Sequence, residues 1–528
     1  MAYRVGARGW LGVTAWWVVG LVALPIVGIG VAANQSVGLW EPPPLSMARL
    51  VPLGLRTLAL ALCVSVFSLL LGTWLGWLAA KARYRASRLL ATLGILPIAI
   101  PSYLLAAILR EDFAPNGWIG SVLGNKEAFA GFGAAVFVLT LACTPYVQLL
   151  VLAGLRSLSS TEEEAARSLG AGAWTRFWKL SAPRLRPSWA FALVLVSLYV
   201  VSDFGAVAVL DCHVLTWELY NAKGGRDAYR IALGIVVCVV PLLAAVRWLH
   251  GYAGENPRQG GPRADSLPPQ IRGVPLLLAY LGHFLMVGLG VFVPLVTLVI
   301  WVLQGLYQGL SFASVMSPLL TTFLYAGIGS LIVLAVSFLP AAYASQVGFK
   351  KKGIEHGTYA TSSLPGVLLA FGILHLVILL ERNVLIEWRG VSLWSGLESL
   401  SVFLFLGYVM RFLSQGYAAI KPSILQVDLR LVDTARSLGA GLSARLRHVW
   451  LPGIWPGIAV AYVLLFVAVA KELPITLMLI PAGSQTLAYR IFDAQTEASL
   501  PDVGLAGLLL IVLVLGVQLI VGRIRYEF

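Results

Sequence analysis

Along the chain, apolar runs of about 20 residues or more alternate with short segments rich in Arg, Lys, Gly and Pro. Crossing roughly 30 Å of hydrocarbon takes about 20 mostly apolar residues in a helix. Windows of that length predict twelve spans, at 10–31, 53–80, 88–109, 128–155, 187–210, 229–250, 274–303, 320–346, 359–380, 397–419, 456–480 and 501–522. The expected fold is an all-α membrane protein with about twelve transmembrane helices. The first run lacks a small-residue cleavage site and reads as a span, not a cleaved leader.

The pattern is duplicated. Glu164-Ala-Ala-Arg-Ser-Leu-Gly-Ala-Gly172 returns 269 residues later as Asp433-Thr-Ala-Arg-Ser-Leu-Gly-Ala-Gly441. The same offset carries Pro183 onto Pro452, Pro187 onto Pro456 and Asp203 onto Glu472. Two further matches are Leu96-Pro97 with Leu364-Pro365, and Leu215…Tyr220-Asn-Ala with Leu487…Phe492-Asp-Ala. These divide the chain into a first six-span repeat at 1–250, a Pro/Gly-rich linker at 251–273 and a second repeat at 274–528. Six spans return the chain to its starting side, so the repeats are expected to be parallel, related by an axis along the membrane normal.

Composition agrees with a bilayer as solvent: 59% of the 528 residues are hydrophobic and 12% charged, far below the charge of a soluble surface. A net charge of +14 raises the question of nucleic acid, and its placement answers it. With the N-terminus inside, inner segments hold 27 of the 38 Lys and Arg against nine in outer segments. That bias is the positive-inside rule, which expects both termini in the cytoplasm and excludes nucleic acid as the reason for the charge. Four cysteines show neither a disulfide framework nor metal-ligand spacing. No inter-span segment has room for a soluble catalytic domain, and no Gly-x-x-x-x-Gly-Lys-Ser/Thr loop occurs. Energy must come from an ion gradient or another polypeptide.

Thr161 followed three residues on by Glu164 reads as a capping box opening a short helix on the inner side. Ala165, Ala166 and Leu169 give that helix a small-residue face, and Gly170 and Gly172 end it. The spacing from Glu164-Ala-Ala166 through Gly170 and Leu180 to Ala182-Pro183 resembles the coupling loop of ABC importer permeases. A second copy runs from Asp433-Thr-Ala435 through Gly439 and Val449 to Leu451-Pro452. The departures are Ala182 for Leu, Asp433 for Glu and Thr434 for Ala. The resemblance implies that Glu164, Ala165, Ala166, Gly170 and Pro183, with Asp433, Ala435, Gly439 and Pro452, form two docking loops for two copies of a separate cytoplasmic ATPase. It also implies a periplasmic substrate-binding protein, ATP and Mg on the ATPase with no cofactor or enzymatic activity in this chain, and a bacterial inner membrane.

Asp203 and Glu472 are the charges expected well inside spans, where a carboxylate costs roughly 2.5–3.5 kcal/mol and tends to face a cavity or partner. They read as pathway residues on the pseudo-twofold axis; pairing of Glu472 with Lys471 near a span end is the alternative. The blocks Ser202-Asp-Phe-Gly-Ala206 and Lys471-Glu-Leu-Pro474 resemble fused two-repeat permeases of bacterial ferric-iron importers. Ferric iron, a hard cation suited to carboxylates, is the expected cargo. Thiamine or another small charged solute is the alternative cargo, and an ion-coupled secondary transporter the alternative machine. His375 stands alone in its span, and a packed histidine is the plainer reading of it.

Overall fold

The computed structural model describes residues 47–156, 160–222, 225–252, 270–345, 350–361, 364–380, 401–427 and 429–527, with Trp16, Trp17, Gly20, Val27 and Ile29 before them. Most of the first expected span, most of the linker and the start of the tenth span lie outside the described residues. Among the described residues the fold is all-α, and the extended backbone is a single bridge between Arg83 and Gln270.

Eight helices among the described residues are long and apolar enough to cross a membrane: Met47–Lys81, Gly131–Leu155, Trp174–Ser202, Val274–Tyr307, Ala313–Ala344, Val402–Gln426, Ser443–Ala470 and Leu500–Leu519. Helix Gly225–Tyr252 and the shorter apolar helix Gly366–Leu380 occupy two more of the expected positions.

The expected straight span at 88–109 is instead two helical pieces, Ser87–Ala99 and Ser102–Asp112, bent by 102°. Pro97 and Pro101 explain the break: each lacks the N–H a continuing helix needs, and the ring clashes with the preceding turn. The structure also corrects one repeat match. Pro101 accepts from the Leu105 N–H at 3.0 Å, and Pro365 accepts from the Leu369 N–H at 3.0 Å. The equivalent of Pro365 is therefore Pro101, not Pro97, and helices Ser102–Asp112 and Gly366–Leu380 are the matching pair.

Two compact units form, and they do not follow the sequence halves. One gathers Leu219–Leu233 and Val302–Phe528 with the described positions within Met1–Leu45; the other gathers Ser46–Glu218 and Gly234–Trp301. In the second unit the helix opening the second half packs on first-half residues. The His283 ring meets the Tyr84 hydroxyl at 2.5 Å, and the Thr297 hydroxyl donates to Asp112 at 2.7 Å.

Small residues let helices approach closely, the packing device available where lipid is as apolar as the partner helix. In one unit a Cβ on Gly72 would sit 2.6 Å from the Val147 Cβ. In the other unit a Cβ on Gly416 would sit 2.8 Å from the Ser337 Cβ. Gly72 lies 15 residues after Thr57, as Ser337 does after Thr322; Val147 lies 13 before Ser160, as Gly416 does before Leu429. The duplicated crossing thus keeps its closeness while the small residue changes sides.

Candidate functional site

The two repeated loops fold alike, element for element. In the first, helix Ser160–Ser168 is followed by a turn, a helical turn Ala173–Arg176, a π-helical turn Phe177–Ser181 and helix Ala182–Ser202. In the second the series is Leu429–Ser437, Leu442–Arg445, Leu446–Trp450 and Leu451–Ala470. Every starting residue is displaced by 269, from 160 to 429 through 182 to 451.

Gly170 and Gly439 end the loop helices with φ of 77° and 80°. In this left-handed region a Cβ costs roughly 1–2 kcal/mol, so glycine is the residue that fits. The Ala171 N–H reaches back to the Ala166 carbonyl at 3.0 Å, and the Ala440 N–H to the Ala435 carbonyl at 2.9 Å. These six-to-one bonds satisfy carbonyls that a helix end otherwise leaves open. Ala166 and Ala435 therefore serve the turn as well as the helix face. The capping-box reading does not fit: Thr161 lies within helix Ser160–Ser168, one residue past its first position, instead of preceding it.

Leu169 is 86% exposed and Leu438, its equivalent, 82%. Ala165, Asp433, Pro183 and Pro452 are exposed, and Ala166 and Ala435 half-buried. Glu164 lies in the first loop helix. An ion pair joins Arg184 to Glu162 across the first loop. Each loop leads directly into a long helix through a π-helical turn that precedes Pro183 or Pro452. The π turn adds a residue where proline cannot donate, so the helix continues without a free break.

Asp203 and Glu472 do not lie inside continuous spans; each sits where its helix stops. The Asp203 carboxylate accepts from the Ala206 N–H at 2.9 Å and from the Ser102 hydroxyl at 2.5 Å. The Glu472 carboxylate accepts from the Ile475 N–H at 3.4 Å. Both cap the short helices that follow, Gly205–Val209 and Pro474–Leu479, satisfying N–H groups that the break exposes. Both are half-buried. Glu472 also lies against Gly366, where a Cβ would approach its Oε1 to 2.8 Å.

The sequence reading missed the groups that tether the chain beyond these breaks. The Leu215 N–H donates to the Thr57 hydroxyl at 3.1 Å, and the Leu487 N–H to the Thr322 hydroxyl at 2.7 Å. Each threonine in turn donates to the carbonyl four residues back. Arg110 donates to the Val209 carbonyl, and Arg411 to the Leu364 carbonyl at 2.8 Å. A repeat search allowing the offset to drift from 269 to 265 would have paired Thr57 with Thr322.

Residues 72–256 match the family described as binding-protein-dependent transport system inner membrane component, a stretch that contains the first loop. Over 499 residues the chain is 23% identical to the Fe(3+)-transport system permease protein FbpB 2 of Haemophilus influenzae, covering 91% of this chain and 92% of that protein. Over 165 residues it is 30% identical to the sulfate transport system permease protein CysT of Escherichia coli, covering 31% of this chain and 59% of that one. Over 164 residues it is 28% identical to CysW, the sulfate counterpart of Synechocystis, covering 30% and 58%. The likeness to FbpB 2 runs through both copies of the loop, consistent with a fused two-repeat architecture. Residues 72–256 thus match the inner-membrane component of binding-protein-dependent transport systems, and along nine-tenths of its length this multi-pass chain is similar to a permease subunit of such a system.

Proposed function

We propose that this permease carries ferric iron from periplasm to cytoplasm, with one ATPase copy docked on each repeated loop, 160–172 and 429–441. Both termini are then cytoplasmic, as the placement of Lys and Arg expects. The observation that carries the coupling half of this reading is the identity of element order in the two loops, each presenting an exposed leucine at its tip. Two equal grips suit a partner that is itself a pair. ATP and Mg bind the partner subunits, and their closure pulls on helices Trp174–Ser202 and Ser443–Ala470. Those helices run from the loops to the capped breaks at Asp203 and Glu472, so loop motion reaches the breaks through one rigid element on each side.

Iron is favoured because the relative named for Fe(3+) aligns along nine-tenths of the chain, whereas those named for sulfate align along about a third. The two half-buried carboxylates at the breaks favour a hard cation over an oxyanion. The test is uptake into proteoliposomes holding the chain, its ATPase and its binding protein. Radioactive ferric iron should accumulate only with ATP. Accumulation of labelled sulfate or thiamine instead would reassign the cargo, and uptake driven by an ion gradient without the ATPase would reject the machine.

A further inference from the structure

A basic patch within one compact unit, Ser46–Glu218 with Gly234–Trp301, plays no part in the proposed function. Helix Met47–Lys81 ends at Lys81, and just beyond it Arg83 forms a parallel bridge with Gln270. Side chains on extended backbone alternate between two faces. Ala82 and Tyr84 are each 6% exposed, whereas Arg83 and Arg85 stand on the exposed side. Tyr84 is anchored inward, with its hydroxyl on His283 and its ring edge to face with Tyr280. The Tyr280 hydroxyl in turn donates to the Arg85 carbonyl at 3.3 Å. The Ile271 N–H donates to the Arg83 carbonyl at 3.2 Å, which ties the segment carrying Arg272 to the same place. Arg88 follows on helix Ser87–Leu93, also exposed. Four guanidiniums from two distant parts of the chain are thus gathered by backbone bonds and by the buried Tyr84–His283 pair.

Their countercharge does not come from these segments. No Asp or Glu occurs from 42 to 110 or from 266 to 354. Among the described residues none of the four arginines has an ion pair, and Arg272 donates only to its neighbour Gln270, at 3.5 Å. Apolar surface borders the cations: Leu89, Leu277 and Leu281 are 59%, 59% and 53% exposed. Just before the patch, Trp74 and Trp77 stack with centroids 5.7 Å apart, and Trp74 lies against Gly282. Tryptophans of this kind mark the headgroup level of a bilayer. Lys81 lies about 6 Å beyond Trp77 along the helix, which sets the arginines at the height of lipid phosphates. An occupant must offer anionic oxygens to several guanidiniums and an apolar body to the leucines. A free anion meets only the first demand, and an anionic phospholipid meets both.

We propose that Arg83, Arg85, Arg88 and Arg272 bind the headgroup phosphate of an anionic phospholipid, which staples the start of the second half to the first-half helices. Basic clusters at helix ends are the sites where such headgroups are held. Which leaflet supplies the lipid rests on the orientation proposed above, whereas retention in detergent reads the site whichever way the chain lies. The full chain in detergent is mixed with equal amounts of phosphatidylglycerol and phosphatidylcholine of the same acyl chains. Native mass spectrometry then counts the lipid retained, and thermal unfolding is followed with each lipid alone. Wild type should retain phosphatidylglycerol in preference and unfold at a higher temperature with it. Each cation near an anionic surface strengthens attachment roughly fivefold, so replacing all four arginines by Gln should lower retention at least tenfold and abolish the thermal difference. Should that variant fail to fold, Arg83→Gln and Arg88→Gln alone must each lower retention. Equal retention of both lipids by wild type, or undiminished retention by the variants, would overturn the proposal. An equal thermal shift from inorganic phosphate would also overturn it, assigning the patch to a free anion.

Discussion

At the residue scale, the two carboxylates have a local structural role, to which the proposed function adds a second in transport. Asp203 and Glu472 each accept the N–H three residues on, at the start of a new short helix. An N-cap of this kind contributes about 0.5–2 kcal/mol, and Asn serves nearly as well as Asp. Asp203→Asn should therefore keep the fold while removing the charge, whereas Asp203→Ala should lower thermal stability in detergent by an amount of that order. On the proposed pathway role, Asp203→Asn with Glu472→Gln should lose most iron uptake while the complex assembles normally. Full uptake by that double variant would leave both acids with capping alone. Hydropathy windows cannot separate these roles, because Asp203 lies within a mostly apolar run and averages into a span. The signal that was present is local: Asp203-Phe-Gly205 places a carboxylate, then a flexible residue, at the helix stop.

At the scale of elements, most of the helices were legible and their interruptions were not. Runs such as 53–80 and 320–346 became helices Met47–Lys81 and Ala313–Ala344, since uninterrupted apolar sequence in lipid has little alternative to a helix. The 102° bend at Ile100-Pro101 was missed because proline also occurs inside intact helices here, as at Pro145 and Pro241. What decides between kink and break is the packing around the ring, which single-sequence pattern does not carry. The π turns before Pro183 and Pro452 escaped for the same reason. The loop ends were readable, because Gly170 and Gly439 punctuate a repeated motif and both take positive φ. Open space surrounds both, so backbone strain is the sole local cost of a side chain there. Gly170→Val or Gly439→Val should cost roughly 1–2 kcal/mol at the turn and shift the loop helix. The expected outcome is ATP hydrolysis that no longer drives uptake in proportion; an unchanged ratio of solute moved to ATP hydrolysed would count against a rigid link.

At the scale of the whole molecule, the duplication is the organising fact, yet the compact units cut across it. Residues Val274–Trp301 join first-half helices, held there by His283 on Tyr84 and Thr297 on Asp112. Sequence order alone assigned that helix to the second repeat, since nothing in an apolar run states which neighbour it will pack on. On the proposed reading the duplication supplies two equal grips, with the exposed Leu169 and Leu438 as their tips. Burying a leucine contributes about 1.5–3 kcal/mol, so converting either to Asp should weaken docking at that loop by roughly tenfold or more. Native mass spectrometry of the purified complex tests this most directly. The wild-type chain should carry two ATPase copies, Leu169→Asp or Leu438→Asp alone should leave one, and the double variant none. Two copies retained on the double variant would contradict the account.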